Sequence, residues 1–477
     1  MTIKPAKQLS GNGDNDTKMT VDIELLKKYD QPGPRYTSYP TAPQFHDGFG
    51  PNELLQEIQT GSDTDQPSAL SLYFHFPFCE SQCYYCACNN IVTRDRERIS
   101  RYLEDLKREI RLFSRQIHHK RKVVQMHWGG GTPTYLTPQQ ISEIYSLISQ
   151  QFDFSADAEI SIEIDPRRLS PEHLPTLRRL GFNRVSFGIQ DFYEKVQQTV
   201  NRIQPETLSR QVVAESRDLG FDSVNIDLIY GLPYQTVDSY KETLNKVIDI
   251  DPDRLAVFNF AYVPWIKKHQ KLLPAERLPG PHEKLKILKL VIEKLTSSGY
   301  VYIGMDHFAK PEDELSIALK NNTLHRNFQG YTTRAGTEVL AMGITSISQL
   351  KNAYAQNVKD IITYHQRMTS GQFATSVGFR LDEDDQLRRE VITELMCNNI
   401  IRKSHFEKKY KIDFDSYFKH NLEKLDEFRS DGLIRDSGDL IEVSDSGRLV
   451  VRNIAMVFDK YLAQDARKKQ PIYSRTV

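Results

Sequence analysis

Short runs in which apolar and polar residues alternate recur along the middle of the chain, separated by stretches whose apolar residues return at helical spacing. The runs Leu70 to Phe76, Lys122 to His127, Glu159 to Ile164, Arg184 to Gln190, Ser223 to Tyr230 and Arg254 to Phe260 read as strands. In the third, Ile160, Ile162 and Ile164 fall on one side and Ser161 and Glu163 on the other. Between strands, a helix near Ser100 to Ile117 places Leu103, Leu106, Ile110 and Phe113 on one stripe. Thr137-Pro138-Gln139-Gln140 offers an N-cap, a proline at the first helical position and a capping-box glutamine.

A glycine followed by an aromatic residue closes a helix at Gly181-Phe182, Gly220-Phe221 and Gly299-Tyr300. The spacings are 39 and 79 residues, about one and two copies of one unit. A repeated βα element predicts parallel strands, closed or partly closed into a barrel of six units, with Val301 to Met305 as a further strand. An open doubly wound sheet is the alternative. The expected fold class is therefore α/β: a partial (β/α)6 barrel with an N-terminal arm and a mostly helical, winged-helix-like C-terminal domain. The boundaries expected are a disordered tail over 1–20, an arm and helix over 21–68, the barrel over 69–365 and the C-terminal domain over 366–477. The arm YDQPGPRYTSYPTAP holds four prolines, which forbid a long helix, and three tyrosines, which let it lie against a folded body. No basic excess marks the C-terminal segment for DNA, so it reads as a structural lid.

Charge narrows the classes further. The 477 residues carry 63 Lys and Arg against 63 Asp and Glu, which removes a whole-chain electrostatic case for nucleic acid or an anionic membrane. No apolar run approaches the ~20 residues that cross a bilayer, and the first residues lack the apolar block of a signal peptide. The expectation is a cytoplasmic protein.

Four of the five cysteines, Cys79, Cys83, Cys86 and Cys88, sit together, with only Cys397 elsewhere. Such a cluster cannot staple distant segments, so a metal or redox centre in a reducing compartment is expected. Cys79-x-x-x-Cys83-x-x-Cys86 follows directly on the first strand, and three thiolates on a four-iron cube leave one iron open, as a catalytic centre needs. Zinc held by all four cysteines is the competing reading; structural zinc usually takes two short pairs with a longer stretch between them.

This spacing resembles the radical S-adenosylmethionine (SAM) enzymes. His127-Trp128-Gly129-Gly130-Gly131-Thr132-Pro133, at the end of the second strand, matches the glycine-rich stretch that the superfamily passes beneath the methionine moiety. Glycine suits that place, since without Cβ the backbone can approach a ligand closely. GPRYTSYPTA, YFHFPFCESQCYYCACN, EISIEIDP, NIDLIYGLP, GMDHFA and HRNFQGYTT are similar to motifs of the oxygen-independent coproporphyrinogen III oxidases, the likeness running from about Tyr29 to the C-terminus. Phe76 and Ala87 depart from the usual isoleucine and glycine, and neither is a metal ligand.

The resemblance implies oxidative decarboxylation of two propionates of coproporphyrinogen III to vinyls, giving protoporphyrinogen IX in haem biosynthesis through a 5′-deoxyadenosyl radical. It implies a 4Fe-4S cluster on Cys79, Cys83 and Cys86, with Cys88 not a ligand. One SAM would sit at the open iron beside Tyr73, Gly130 and Glu163. A second would lie near Tyr85, Gly131, Thr132, Gln190, Arg202, Asp227, Ala261 and Ile347. His75, Gln329 and again Tyr73 would face the substrate. An electron donor and an acceptor, both unidentified, complete the partners; no nucleic acid or membrane insertion is expected, and the chain is expected to be a monomer. The rivals are a haem chaperone that keeps the three cysteines and an anaerobic haem-degrading or methyl-transferring relative. Both lack the cysteine at the Cys88 position and the Pro/Tyr arm.

Overall fold

The computed structural model describes residues 18–62, 67–118, 121–462 and 473–476; of the tail expected over 1–20, residues 1–17 lie outside the described residues. Six consecutive strands build the centre: β1 (Leu70–Phe76), β2 (Val123–Gly130), β3 (Phe154–Ile164), β4 (Arg184–Gln190), β5 (Ser223–Tyr230) and β6 (Arg254–Asn259). Each pairs in parallel with the next. Six more strands complete one sheet: β7 (Val301–Gly304), β8 (His307–Ala309), β9 (Glu338–Met342), β10 (Ile347–Gln349), β11 (Ala353–Asn357) and β12 (Thr375–Arg380). The order is β12-β11-β10-β9-β1-β2-β3-β4-β5-β6-β8-β7. The expected six-unit partial barrel is present, extended at both edges.

Two details differ from the sequence reading. The segment Val301 to Met305 does extend the sheet, but it does so through β8, which runs antiparallel to both β6 and β7. Met305, with φ at 50°, turns the chain back between them, a fold-back that strand periodicity cannot signal. On the other edge, β12 pairs with β11, so one strand of the sheet lies beyond residue 365.

The two faces of the parallel strands divide by polarity. Leu70, Leu72, Phe74 and Phe76 of β1 are fully buried against the helical layer, and Trp128 of β2 packs among Phe74, Phe76 and Phe182. Each such side chain contributes roughly 1.5–3 kcal/mol of burial. The opposite face carries Tyr73, His75, His127, Glu163, Ser186, Asn225 and Asp227. The period-two pattern that secures the core therefore also lines the inside of the barrel with polar groups.

Local signals place the helices. Asp95 caps the helix Arg96–Ser114, whose Leu103, Leu106, Ile110 and Phe113 are buried as the stripe predicts. Thr137 and Gln140 form the full capping box of Pro138–Gln151. Gly181 ends His173–Leu180 in the left-handed region, at φ 100°, and the chain enters β4. After β12, the helix Glu383–Asn398 leads to a three-stranded antiparallel sheet of Ile400–Arg402, Ile434–Asp436 and Leu440–Val443, with short helices between the first two, as a winged unit requires. This unit clasps the arm. Arg452 Nε donates to Pro34 O at 2.9 Å, Asn453 Nδ2 to Tyr29 O at 2.7 Å, and the Tyr36 hydroxyl to Asp459 at 3.0 Å. Tyr29, Tyr36 and Tyr39 are all buried, so the arm lies against the folded body as its three tyrosines predict. No helix of the described residues is long and apolar enough to cross a membrane.

Candidate functional site: a cysteine-lined cavity at the mouth of the sheet

A cavity of about 480 Å³ opens where β2 to β6 end, walled on one side by the loop that follows β1. Cys79, Cys83, Cys86 and Cys88 line it together with Tyr85, Gly130, Gly131, Thr132, Glu163, Gln190, Arg202, Asp227 and Ala261. Residues expected at one centre from scattered motifs thus meet in one place. Tyr73, His75, Gln329 and Ile347 do not line the cavity. Ile347 opens β10, beyond β9 from the cysteine loop. Gln329 lies near the start of β1, where its Oε1 accepts from Ser71 Oγ at 3.5 Å.

The cysteine loop is held by its backbone. Tyr84 N donates to Val200 O at 3.0 Å, Cys86 N to Cys83 O at 3.1 Å, and His269 Nε2 lies 2.7 Å from Cys86 O. A carbonyl only accepts, so that nitrogen carries the proton. Two guanidinium groups reach one sulfur: Arg167 Nη2 is 3.6 Å and Arg202 Nη1 3.7 Å from Cys83 Sγ. Burial pushes the Cys79 thiol up to about 11, against a hydrogen bond with Thr132 Oγ1 at 3.4 Å. Cys86 moves the other way, to about 7, chiefly because Cys88 donates to it. Among the described residues no three His, Cys, Asp or Glu side chains converge closely enough for a single metal ion. Zinc needs its ligands within about 2.3 Å of one point. The three thiols of the motif all line one cavity, as shared ligands of one cluster would.

The glycine stretch closes the opposite side of the loop. Gly131 N donates to Phe76 O at 2.8 Å, and a Cβ on Gly131 would stand 2.6 Å from Pro77 O and 2.9 Å from Phe78 O. Only glycine lets these two backbones lie so near each other.

Carboxylates form the far wall. Glu163 accepts from Gly130 N at 3.1 Å and lies 3.4 Å from His127 Nε2. Burial works against its ionisation, but the His127 bond and the Gly130 N–H outweigh it and hold the carboxyl below its ordinary range. Asp227 accepts from Ser186 Oγ at 3.1 Å and Asn225 Nδ2 at 2.8 Å. Burial, with Glu163 nearby, raises its pKa to about 6. Arg202, nearly fully buried, reaches Asp165 Oδ2 at 3.1 Å and Gly188 O, and its Nε has no partner among the described residues. Gln190, at φ 74° where β4 bulges against β5, leaves its buried Oε1 likewise without a partner. Both residues line the cavity, and these two unmet atoms lie buried behind its wall.

One level deeper in the barrel, His75 links the loop to Tyr73 on its own strand, β1. Its Nε2 is 3.0 Å from Asn89 O, which can only accept, and its Nδ1 is 3.1 Å from the Tyr73 hydroxyl. The imidazole therefore carries its proton on Nε2 and accepts from Tyr73. Burial lowers its pKa, which keeps it neutral. Tyr73 stacks on His127 at 6.0 Å between centroids, so the pair adjoins Glu163 through His127.

Sequence reasoning assigned no role to Asp165, Arg167, His127, Ser186 or Asn225. Asp165 lies in the EISIEIDP motif and His127 opens the glycine stretch, so a signal was present for those two. The others are identified only by their contacts.

Comparison with known proteins fits this geometry. The family model for the Radical SAM superfamily matches residues 73–247, and that for the HemN C-terminal domain matches residues 381–450. The oxygen-independent coproporphyrinogen III oxidase of Synechocystis is 48% identical over 458 residues, covering 95% of this chain and 97% of its own length. This chain belongs to the oxygen-independent coproporphyrinogen III oxidase family. The Escherichia coli member is 46% identical over 456 residues, 96% of this chain and 98% of that one. The solved structure of the Escherichia coli coproporphyrinogen III oxidase, described as a radical SAM enzyme, superposes with a TM-score of 0.88 at 45% identity, covering 93% of this chain and all of that one. Radical SAM family members carry a 4Fe-4S cluster and SAM, and the residues here fit both. The three thiols beside two guanidinium groups suit an anionic cluster, and the glycine cradle with its carboxylate wall suits a nucleoside with an amino-acid tail.

Proposed function

We propose that the protein oxidatively decarboxylates two propionate side chains of coproporphyrinogen III to vinyl groups, giving protoporphyrinogen IX. The observation that carries this is the convergence of the three cysteines, the glycine stretch and the Glu163–Asp227 wall on one cavity. A cluster held by Cys79, Cys83 and Cys86, with SAM beside it, would supply the one-electron chemistry for loss of a hydrogen atom from the propionate β-carbon, the substrate then giving up carbon dioxide and one further electron. An electron donor for the cluster and an acceptor for that last electron come from outside the chain.

The chain's own residues bind and orient. Cys79, Cys83 and Cys86 hold the cluster, and Arg167 and Arg202 offset charge on the Cys83 sulfur. Glu163, ionised and fixed by Gly130 N–H and His127, keeps lone pairs for ribose hydroxyls. Gly130 and Gly131 let backbone approach the methionine end. Arg202, Gln190 and Asp227 line the same cavity and are the residues we assign to a second SAM, with Asp227 as its ribose acceptor. His75, neutral and tied to Tyr73, lies below the cavity as an ordered polar pair, and its substrate role rests on the family resemblance. We assign Gln329 and Ile347 no contact with the cavity; the family resemblance alone suggests roles for them. The reading is completed by a monomer acting in the cytoplasm, with no nucleic acid or membrane partner.

The test is anaerobic turnover of coproporphyrinogen III with SAM and a low-potential reductant, products resolved chromatographically. Expected are protoporphyrinogen IX and 5′-deoxyadenosine. Tight haem binding with no 5′-deoxyadenosine would instead favour a haem chaperone.

A further inference from the structure

A second cavity of about 590 Å³ lies beside the cysteine-lined one and shares Asn259, Phe260 and Ala261 with it as a common wall. Its size is that of a small-molecule site. Its lining divides sharply. Trp265 and Ile266 form one rim and are 56% and 65% exposed, an unusual position for large apolar side chains unless something covers them. Five cationic side chains, Arg35, Lys284, Arg448, Arg452 and Arg475, line the remainder. Only two carboxylates, Asp30 and Asp306, accompany them, on Arg475 and Arg35 respectively.

Arg448 Nη1 also pairs with Asp445, outside the lining, at 3.6 Å, which leaves Arg452 and Lys284 without an ion-pair partner among the described residues. Arg452 is 6% exposed and spends its donors on the backbone carbonyls of Gly33, Pro34, Arg475 and Thr476, which accept hydrogen bonds but carry no net charge. Lys284 Nζ donates to Phe260 O at 3.1 Å. Among the described residues neither has a carboxylate within 4 Å. Burial, then the neighbouring Arg452 and Arg326 charges, hold the Arg35 guanidinium below its usual range. The buried Nε of Arg448 has no partner among the described residues. Clustered, desolvated cations with spare donors beside an apolar rim call for an amphiphilic polyanion.

We propose that this chamber seats the body of the tetrapyrrole, with Trp265 and Ile266 covering its apolar edge and Arg35, Lys284 and Arg448 binding the carboxylates that do not react. The reacting propionate then passes the shared wall at Asn259 to Ala261 toward the cysteine-lined cavity. The arm enters the site through Arg35, held in place by the clasp of Arg452 on Gly33 and Pro34. This inference rests on the proposed function and adds where the substrate lies and which side chains select a tetracarboxylate.

The test measures binding, by anaerobic equilibrium dialysis of coproporphyrinogen III against the cluster-loaded enzyme with SAM present. Lys284→Glu should weaken binding at least tenfold, Lys284→Arg should stay within about threefold, and iron content and SAM binding should be unchanged in both. A Lys284→Glu enzyme that binds within twofold of the wild type, while the wild type binds and converts the substrate, overturns the chamber but leaves the proposed function standing. A wild type that neither binds nor converts it overturns both. Fluorescence gives an answer that needs no charge variant. Trp128 is buried and Trp265 faces the chamber, so coproporphyrinogen III should change the emission of the wild type and not that of Trp265→Phe. An unchanged wild-type emission during turnover contradicts the assignment.

Discussion

Arg202 and Asp165 form a buried ion pair, Nη1 to Oδ2 at 3.1 Å, and the same Arg202 nitrogen lies 3.7 Å from Cys83 Sγ. The pair thus ties the end of β3 to the cysteine loop through one guanidinium. Asp165 has a second partner, Arg167, whose Nη2 is at 2.7 Å. Arg202→Ala therefore leaves Asp165 paired, and its cost should fall at or below the low end of ~3–5 kcal/mol for breaking a buried pair. We expect the variant to retain its iron and lose product formation. Iron analysis beside the turnover assay checks this, and full activity would remove Arg202 from the site.

Asp165 also makes a prediction about acid. Burial opposes its charge, but Arg202 and Arg167 outweigh that and depress its pKa to about 2. The unfolded value is about 3.9. A depressed folded pKa contributes stability that is full above the unfolded value and is lost as pH falls through the folded one. Asp165 should therefore contribute about 2–3 kcal/mol at neutral pH, lost between about pH 5 and pH 2. Urea unfolding of Asp165→Asn should show a shallower loss of stability over that interval than the wild type. An identical slope would contradict the pairing.

Asp227 runs in the opposite direction. Burial and Glu163 raise it to about 6. A raised folded pKa favours the protonated fold, so this contribution is present at low pH and is lost as pH rises through about 6. Asp227→Asn should accordingly stabilise the ligand-free protein at pH 8 by up to about 3 kcal/mol and leave it nearly unchanged at pH 4. Activity should fall in the same variant, since one of the two acceptor oxygens becomes an amide donor and the charge is lost. Thermal unfolding at both pH values tests the sign.

Glu163→Gln keeps the size of the side chain and removes its charge. A hydrogen bond to a charged group is worth roughly 1.5–3 kcal/mol, so SAM should bind about ten- to a hundredfold more weakly. Calorimetric titration of the cluster-loaded variant with SAM is the check; an unchanged affinity would detach Glu163 from the nucleoside.

Gly131→Ala would drive a Cβ to 2.6 Å from Pro77 O, an atom of the backbone that cannot swing aside. Overpacking of this kind costs typically ~1–3 kcal/mol. The strain falls on the loop that carries the cysteines, so iron and sulfide per chain should drop after reconstitution. A fully loaded Gly131→Ala enzyme would show that the close approach is not needed.

The parallel strands, the capping box at Thr137 and the glycine stop at Gly181 were legible in the sequence, because each depends on residues a few positions apart. The three cysteines were legible for the same reason. The fold-back at Met305 was not, since a turn between an expected strand and β8 leaves no periodicity behind. Nor was the role of Asp165, whose partners Arg167 and Arg202 meet only once β3 and the cysteine loop are folded. The cationic chamber is the extreme case: Arg35 and Arg452 come from opposite ends of the chain, and a sequence with balanced total charge conceals a local excess. Tyr73 and His75 lie one level below the cavity, and Gln329 and Ile347 lie away from it. Matching motifs identified these residues but could not give their depth.

The most direct test of the account is electron paramagnetic resonance of anaerobically reconstituted, reduced protein, recorded before and after adding SAM. A 4Fe-4S signal that shifts with SAM in the wild type, and is lost in Cys79→Ala, is the predicted result. A wild type showing no such signal, or one indifferent to SAM, would contradict it.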